Sequence, residues 1–367
     1  MNNLFLFQTP PVDKTKYVLT LDKLKFEGVI GNGAFGEVSI GIHQPTGLKV
    51  AIKKLHSIDD NQRNKELYQR EVDCLANLKH RFLLPFVGYT EVPPYCIVTK
   101  YIPNGSLYNA LHSNTINLDP TDLTLIAYGI SAGMQYLHSH KIIHRDLKTQ
   151  NVLIDENNLP VIADFGSSRK QETSRAMTGL FGTTHYMAPE FIQGEEYNEK
   201  VDVYSFGLIL WEMLTKKVPF SGLESAQVIY TVVIQQSRPP IPSKTPPNLA
   251  KLIECCWSPN ANERPSFERI TPLFENGTVE FPDCDRQKFN NVYNTFSPQL
   301  KLTRRHSNSN LLLNMPMDEI VNNIRMSRDD RNIKSFTNLL PQSYSSNLIQ
   351  KANELLFSLN ESYSKSK

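Results

Sequence analysis

Apolar and polar residues alternate with period two in two short runs near the start of the chain. Glu37-Val-Ser-Ile-Gly-Ile-His43 alternates, Pro45-Thr-Gly47 makes a turn, and Leu48-Lys-Val-Ala-Ile-Lys53 alternates again. That pattern predicts an antiparallel hairpin within a strand-like stretch from about Leu24 to Ile52. The spacing then becomes helical over 62–79, with Leu67, Val72, Leu75 and Leu78 on one side. Two more strand-like runs follow, Phe82–Tyr89 and Tyr95–Tyr101. Beyond Asn104-Gly105 helical patterns dominate. Ile126, Ile130, Met134 and Leu137 are in register within Leu123–His138, and Val201–Leu214 is apolar nearly all round, which predicts a buried helix. Residues 225–236 and 247–257 are further helix candidates. A sheet-rich first third and a helix-rich remainder predict two lobes with a cleft between them.

Both ends read differently. Residues 1–23 form an irregular lead-in. No glycine occurs after Gly277, and Asn and Ser crowd the last ninety residues, so 277–367 reads as a mostly disordered low-complexity tail. One exception is Leu348, Ile349, Ala352, Leu355, Leu356 and Leu359, helically spaced within 345–359, with Ser345 or Ser346 as a cap. This helix is a candidate for docking on a partner or on the rest of the chain.

Composition narrows the class. A net charge of +2 gives no drive toward nucleic acid or an anionic membrane, and 40% hydrophobic residues exclude wholesale disorder. Five cysteines, an odd number without metal-ligand spacing, read as free buried thiols in a reducing compartment. No apolar run is long enough to span a membrane, and the short Leu4–Phe7 run lacks a basic flank. A cytoplasmic protein is the expectation.

The candidate chemistry begins at Ile30-Gly31-Asn32-Gly33-Ala34-Phe35-Gly36-Glu37-Val38, a G-x-G-x-x-G-x-V run. Its glycines let backbone N–H groups approach phosphates closely. A dinucleotide-binding turn would continue into a helix, whereas here a strand follows. Val50-Ala51-Ile52-Lys53 lies on the next strand, and Ile143-His-Arg-Asp-Leu-Lys-Thr-Gln-Asn-Val-Leu153, Asp164-Phe-Gly166 and Met187-Ala-Pro-Glu190 come later. Together these motifs resemble those of protein kinases over about residues 24–276.

The resemblance implies an α+β, bilobal protein kinase fold: a small antiparallel-sheet lobe with one main helix (about 24–102) and a larger helical lobe (about 103–276), followed by the tail. It implies an enzyme that uses ATP and Mg²⁺, with Mn²⁺ as an alternative, on protein substrates. Residues 30–38 would form a flap over the nucleotide. Lys53 would reach the α- and β-phosphates, with Glu71 as its partner, while Glu66 and Asp73 would be solvated. Val38, Ala51 and Leu153 would sandwich the adenine, Thr99 would be the gatekeeper, and Lys100 and Ile102 would pair with the adenine edge. Asp146 would orient the substrate hydroxyl, Lys148 would offset phosphoryl charge, and Asn151 and Asp164 would hold the metal. His144 would be structural, in a spine with Leu75, Phe86 and Phe165. Asp202 would anchor the catalytic loop, and Arg264 would pair with Glu190.

Lys148 and Thr183 are similar to features of Ser/Thr kinases. Asp202–Gly207, Leu210–Met213 and Glu263–Phe267 have a tyrosine-kinase flavour. That mixture resembles the tyrosine-kinase-like group of Ser/Thr kinases; tyrosine or dual specificity, and a catalytically silent scaffold, are the rival readings. Arg145 implies control by phosphorylation of the 164–190 segment, with Thr178 first and Ser174 second. Arg304-Arg-His-Ser307 resembles a site for a basophilic kinase.

Overall fold

The computed structural model describes residues 13–33, 36–55, 62–113, 116–170 and 184–304. The first lobe is a five-stranded sheet of β1 (Leu24–Gly33), β2 (Gly36–His43), β3 (Leu48–Leu55), β4 (Phe86–Tyr89) and β5 (Cys96–Lys100), in the order β1-β2-β3-β5-β4. Neighbouring strands are antiparallel throughout. Helix α1 (Gln62–Asn77) buries Tyr68, Val72 and Leu75, the apolar side that its spacing predicts. The second lobe contains α2 (Leu107–His112), α3 (Pro120–Ser139), β6 (Ile142–Ile143), β7 (Val152–Ile154), β8 (Pro160–Ile162) and β9 (Arg169–Lys170). It continues with α4 (Pro189–Ile192), α5 (Lys200–Thr215), α6 (Ser225–Ile229), α7 (Pro247–Cys256), α8 (Phe267–Glu275) and α9 (Arg286–Arg304).

Two helices carry the core of this lobe. In α3, Asp119 and Asp122 form a capping box and Pro120 occupies the first turn, so the start is fixed before the apolar run begins. In α5 every residue from Val201 to Met213 is buried, in keeping with its nearly continuous apolar sequence. Each fully buried large aliphatic side chain there contributes about 1.5–3 kcal/mol. No helix among the described residues is long and apolar enough to cross a membrane. All five cysteines are free; Cys96, Cys255 and Cys256 are buried, and Cys74 and Cys284 are half-buried.

Three expectations are corrected. The run from Phe82 does not pair as a strand until Phe86. Pro85 has no N–H to give a ladder, and residues 82–84 bond instead to the second lobe, where Ile162 N–H donates to the Phe82 carbonyl at 2.8 Å and Leu84 N–H to the Ile162 carbonyl at 2.9 Å. The 225–236 helix splits at Ile229 into α6 and a wider π-type turn over Tyr230–Ile234. Most consequentially, the tail does not begin as disorder. Residues 277–304 pack on the second lobe, and α9 buries Phe289, Phe296 and Leu300. The candidate helix 345–359 and Ser307 lie outside the described residues.

The lead-in is also ordered where it is described. Asp13 caps a 3-10 turn at Lys14–Tyr17, Leu19 N–H donates to the Tyr89 carbonyl at 2.7 Å, and Lys14 forms an ion pair with Asp73 of α1. Asp73 is therefore tethered rather than simply solvated.

The long-range tie within the second lobe is Arg264 to Glu190. The guanidinium donates from Nη1 at 2.6 Å and from Nη2 at 2.8 Å to the two carboxylate oxygens, with its side chain fully buried. It also donates to the carbonyls of Ser258 and Lys200 and lies 5.0 Å over the Tyr204 ring. Arg264→Met leaves the Glu190 carboxylate buried without its counter-charge. Urea denaturation of this variant is expected to show a loss of about 3–5 kcal/mol.

Candidate active site

The site lies where the two lobes meet. On the small-lobe side, β1 and β2 stay paired to the tip, through Gly31↔Val38, Asn32↔Glu37 and Gly33↔Gly36. Ile30 is exposed at 52%; Ala34 and Phe35 lie outside the described residues. On β3, Ala51 lies opposite Ile40 and Thr99, and Lys53 opposite Val38 and Ile97. This register puts Val38, Ala51, Lys53 and Thr99 on adjoining strands. Lys100 ends β5 and Ile102 is buried just beyond it, while Leu153 of β7 bridges to Ser106, the cap of α2.

Lys53 Nζ donates to Glu71 Oε1 at 2.8 Å and Oε2 at 3.0 Å, and lies 3.8 Å from Asp164 Oδ1. Burial works against the ammonium charge, but the Glu71 and Asp164 carboxylates outweigh it and hold the Lys53 pKa above its ordinary value. The Lys53 ammonium is thereby held between Glu71 of the small lobe and Asp164 of the large one. Glu66 pairs with Arg70 on the same helix, both side chains being about half exposed.

The loop from His144 to Asn151 is braced from below by Asp202 of α5. Its Oδ2 accepts the His144 N–H at 2.8 Å and bonds His138 Nε2 at 2.8 Å, and its Oδ1 accepts the Arg145 N–H at 2.8 Å. Burial penalises this carboxylate, yet the hydrogen bonds from His138 and from Arg145 N–H hold its pKa below the usual range. Arg145 turns through a left-handed backbone conformation, φ 68°. His144 is fully buried. Its Nδ1 accepts the Asp146 N–H at 3.3 Å, which leaves the proton on Nε2, directed to the Ala163 carbonyl at 3.0 Å. The ring lies 5.6 Å from Phe165. Both nitrogens are committed to backbone, so His144 has no free position for proton transfer. Leu75 and Phe86 belong to the same apolar cluster, where Phe86 packs against Tyr17 and Tyr89.

The polar groups beyond His144 converge. Lys148 Nζ donates to Asp146 Oδ2 at 2.8 Å and Oδ1 at 3.1 Å. Asn151 Nδ2 donates to the Asp146 carbonyl at 2.8 Å and to Asp146 Oδ2 at 3.0 Å. With its amino group so used, Asn151 has its carbonyl oxygen left for another partner. Asn151 also accepts the Ala163 N–H on its backbone carbonyl, 2.8 Å away, which ties the loop to Asp164. Asp164 adopts φ 63°, a strained conformation costing about 1–3 kcal/mol in a non-glycine residue, and leaves its carboxylate 48% exposed. A Cβ on Gly166 would sit 3.4 Å from both Asp164 Oδ1 and Glu71 Oε2, so glycine keeps that approach open. The Asn151 and Asp164 oxygens form a hard, two-residue donor set. That suits Mg²⁺, which takes few protein ligands and fills its octahedron with water and phosphate. Among the described residues no cluster of three His, Cys, Asp or Glu offers a fuller metal cage.

One buried network escaped the sequence reading. Glu212 of α5 is fully buried and bonds His112 Nε2 at 2.8 Å, Thr149 Oγ1 at 3.2 Å and the Tyr186 hydroxyl. Burial pushes its pKa up, against those hydrogen bonds. The Trp-Glu pairing inside an otherwise apolar helix was the available clue, since a lone Glu there needs partners. Thr173, Ser174, Thr178 and Thr183 lie outside the described residues, as do the side chains of Ser167 and Arg304.

Comparison with known proteins agrees with this geometry. The family model described as protein tyrosine and serine/threonine kinase matches residues 24–274, well over half of the chain. The chain belongs to the protein kinase family. A probable serine/threonine-protein kinase of Dictyostelium discoideum is 40% identical over 270 residues, covering 72% of this chain and 29% of that protein. Arabidopsis thaliana serine/threonine-protein kinase STY17 is 36% identical over 280 residues, covering 76% and 49%. Serine/threonine/tyrosine-protein kinase HT1 from the same plant is 34% identical over 289 residues, covering 78% and 73%. The matched part thus spans under half the length of the first two relatives and nearly three quarters of HT1. Such relatives place the kinase domain with the tyrosine-kinase-like group.

The brace under the kinase loop has a pH consequence. The folded-state pKa of Asp202 lies below its unfolded value, so its contribution is complete above about pH 4 and is lost as pH falls through the folded pKa. Asp202→Asn is expected to be less stable than the parent at pH 7. Its urea midpoint should also fall less between pH 5 and about pH 3, because the variant has no carboxylate to protonate there.

Proposed function

We propose that this chain transfers the γ-phosphoryl group of ATP to Ser and Thr hydroxyls of protein substrates. The observation that carries the reading is the two-point contact of Lys148 Nζ with the Asp146 carboxylate, at 2.8 and 3.1 Å. Asp146 is oriented by this contact, able to align a hydroxyl and take up its proton. Lys148 brings positive charge to the place where phosphoryl charge develops. Lys53, steered by Glu71, would be the group for the α- and β-phosphates, and the glycine-rich run 31–36 would supply backbone N–H groups to them. Asn151 Oδ1 and the Asp164 carboxylate would hold Mg²⁺, which when bound neutralises charge on the phosphate oxygens. Val38, Ala51 and Leu153 would enclose the adenine, with Thr99, Lys100 and Ile102 along its edge.

A second reading, dual specificity, is favoured by the similarity to HT1, a serine/threonine/tyrosine-protein kinase by name. A silent scaffold is disfavoured by the intact Lys53–Glu71 pair and the free Asn151 carbonyl. Cytoplasmic signalling is the setting that the reading implies.

The test is incubation of the full chain with labelled ATP, Mg²⁺ and a generic protein substrate. Label on Ser and Thr is expected, and Asp146→Asn should lower kcat about 10²–10⁴-fold with the fold intact. Phosphotyrosine as a major product would instead establish the dual reading, and undiminished turnover by Asp146→Asn would overturn the assignment of Asp146.

A further inference from the structure

The segment that follows the family-matched region packs against the second lobe. Residues 277–304 run along α3. Phe281 N–H donates to Thr124 Oγ1 at 3.1 Å, Asp285 N–H to Thr121 Oγ1 at 2.9 Å, and Lys288 Nζ to Asp122 at 3.2 Å. Asp285 starts α9 by accepting the Lys288 N–H on its side chain at 3.0 Å. From there Phe289, Tyr293 and Phe296 surround Tyr128 of α3, with ring centroids 5.4–6.1 Å away. The last of them reaches further. Phe296 meets Phe82 edge to face, centroids 5.3 Å apart and planes at 81°.

Phe82 is not an ordinary core residue. It occupies the connection between α1 and β4, where the small lobe is fastened to the large one. Its carbonyl accepts the Ile162 N–H, Leu84 N–H returns to the Ile162 carbonyl, and neighbouring Arg81 is 2.5 Å from Asp155. Ile162 stands two residues before Asp164, and α1 carries Glu71. The face of α3 is notched for β8 and Phe82 together: a Cβ on Gly129 would come 2.5 Å from Pro160 and 3.0 Å from the Phe82 ring, and one on Gly133 2.7 Å from Ile162 and 3.3 Å from Phe82 Cβ. Phe82 is fully buried, and Phe296, 3% exposed, is part of what closes its slot.

We propose that Phe296 is a positioning residue for phosphoryl transfer, acting through Phe82 to fix the α1–β4 connection and with it both Glu71 and Asp164. Its aromatic edge adds a specific contact to the apolar burial. A loosened Phe82 lets α1 and the end of β8 shift relative to each other. The Lys53–Glu71 pair and the Asp164 carboxylate then occupy their joint geometry for a smaller fraction of the time. Binding of the protein substrate, which involves neither group, is left unaffected.

The experiment uses the full chain carrying Phe296→Ala, with amide exchange and steady-state kinetics measured well below the unfolding temperature. Exchange at Leu84 and Ile162 should quicken about tenfold while α5 amides keep their rates, and kcat should fall by a similar factor at unchanged peptide KM. Exchange at Leu84 and Ile162 that stays at the parent rate, or that quickens only together with α5, would overturn the proposal and leave Phe296 as packing alone. Should the alanine variant not fold, Phe296→Leu keeps bulk without the aromatic edge and is read by the same criteria, with a roughly twofold change expected. The kinetic arm rests on the proposed kinase activity. A parent chain without turnover would sink that reading, while the exchange arm would still decide the coupling.

Discussion

The Asp202 carboxylate is buried with no access to water, a placement that is tolerable only if its hydrogen-bonding capacity is filled. His138 and two consecutive backbone N–H groups fill it. Those two N–H groups can point at one carboxylate only if the chain turns sharply there, and the left-handed conformation of Arg145 is the result. Asp146 leaves that turn in a fixed direction. The same turn brings His144 under Ala163, whose carbonyl it binds, so the strained Asp164 is held by the same brace. One buried charge on a rigid helix thus sets the positions of both carboxylates on the large-lobe side of the site.

The small lobe is held differently: the buried Tyr68 hydroxyl of α1 bonds the Thr90 carbonyl at 2.7 Å and the Cys96 carbonyl at 3.2 Å. Its contribution rests on Lys53 and Glu71, and Glu71 is carried by α1, a helix with a single buried face. Asp164, 3.8 Å from Lys53, is a second carboxylate for the same ammonium. The geometry of the site then depends on where α1 lies. Contacts from outside the family-matched segment bear on that position at both ends of the chain: Lys14 pairs with Asp73 on α1 itself, and Phe296 packs on Phe82 just beyond it. The surface pair of Lys14 and Asp73 is the weaker of the two because water screens it. The Phe296 contact is dry and shape-dependent.

How much of this could be read from the sequence follows from where each interaction is encoded. Residues 144–151 and 164–166 are close in sequence, and the proposed chemistry demands particular side chains at fixed spacing. The convergence of Asp146, Lys148 and Asn151 was therefore legible, and the Lys53–Glu71 pair followed from the resemblance to protein kinases, which selects Glu71 among the carboxylates of α1. The two-lobe fold was legible because period two gives way to helical spacing near Asn104. Residues 82–84 were misread because their apolar character fits a strand, whereas their backbone partners lie on β8, far along the chain. The packed start of the tail was missed because Asn and Ser content dominated the reading. Yet Asp285, followed by Phe289, Tyr293, Phe296 and Leu300, has both the cap and the helical stripe of a docked helix. Glu212 was passed over because its partners, His112, Thr149 and Tyr186, come from three separate segments.

The boundary of the family match and the boundary of the packed structure are different things. The match ends at residue 274, where α8 is nearly complete, but the apolar face of α3 is not covered there. Tyr128 lies on that face, and Phe289, Tyr293 and Phe296 supply its covering. Burying Phe289, Phe296 and Leu300 contributes about 1.5–3 kcal/mol each before ordering costs, which is large against a net stability of about 5–15 kcal/mol. In this chain the cover extends past the core of one lobe to the connection between both. The residues that complete the large-lobe core are thereby also placed to restrain α1, alongside the contacts of Tyr68 with the small-lobe sheet.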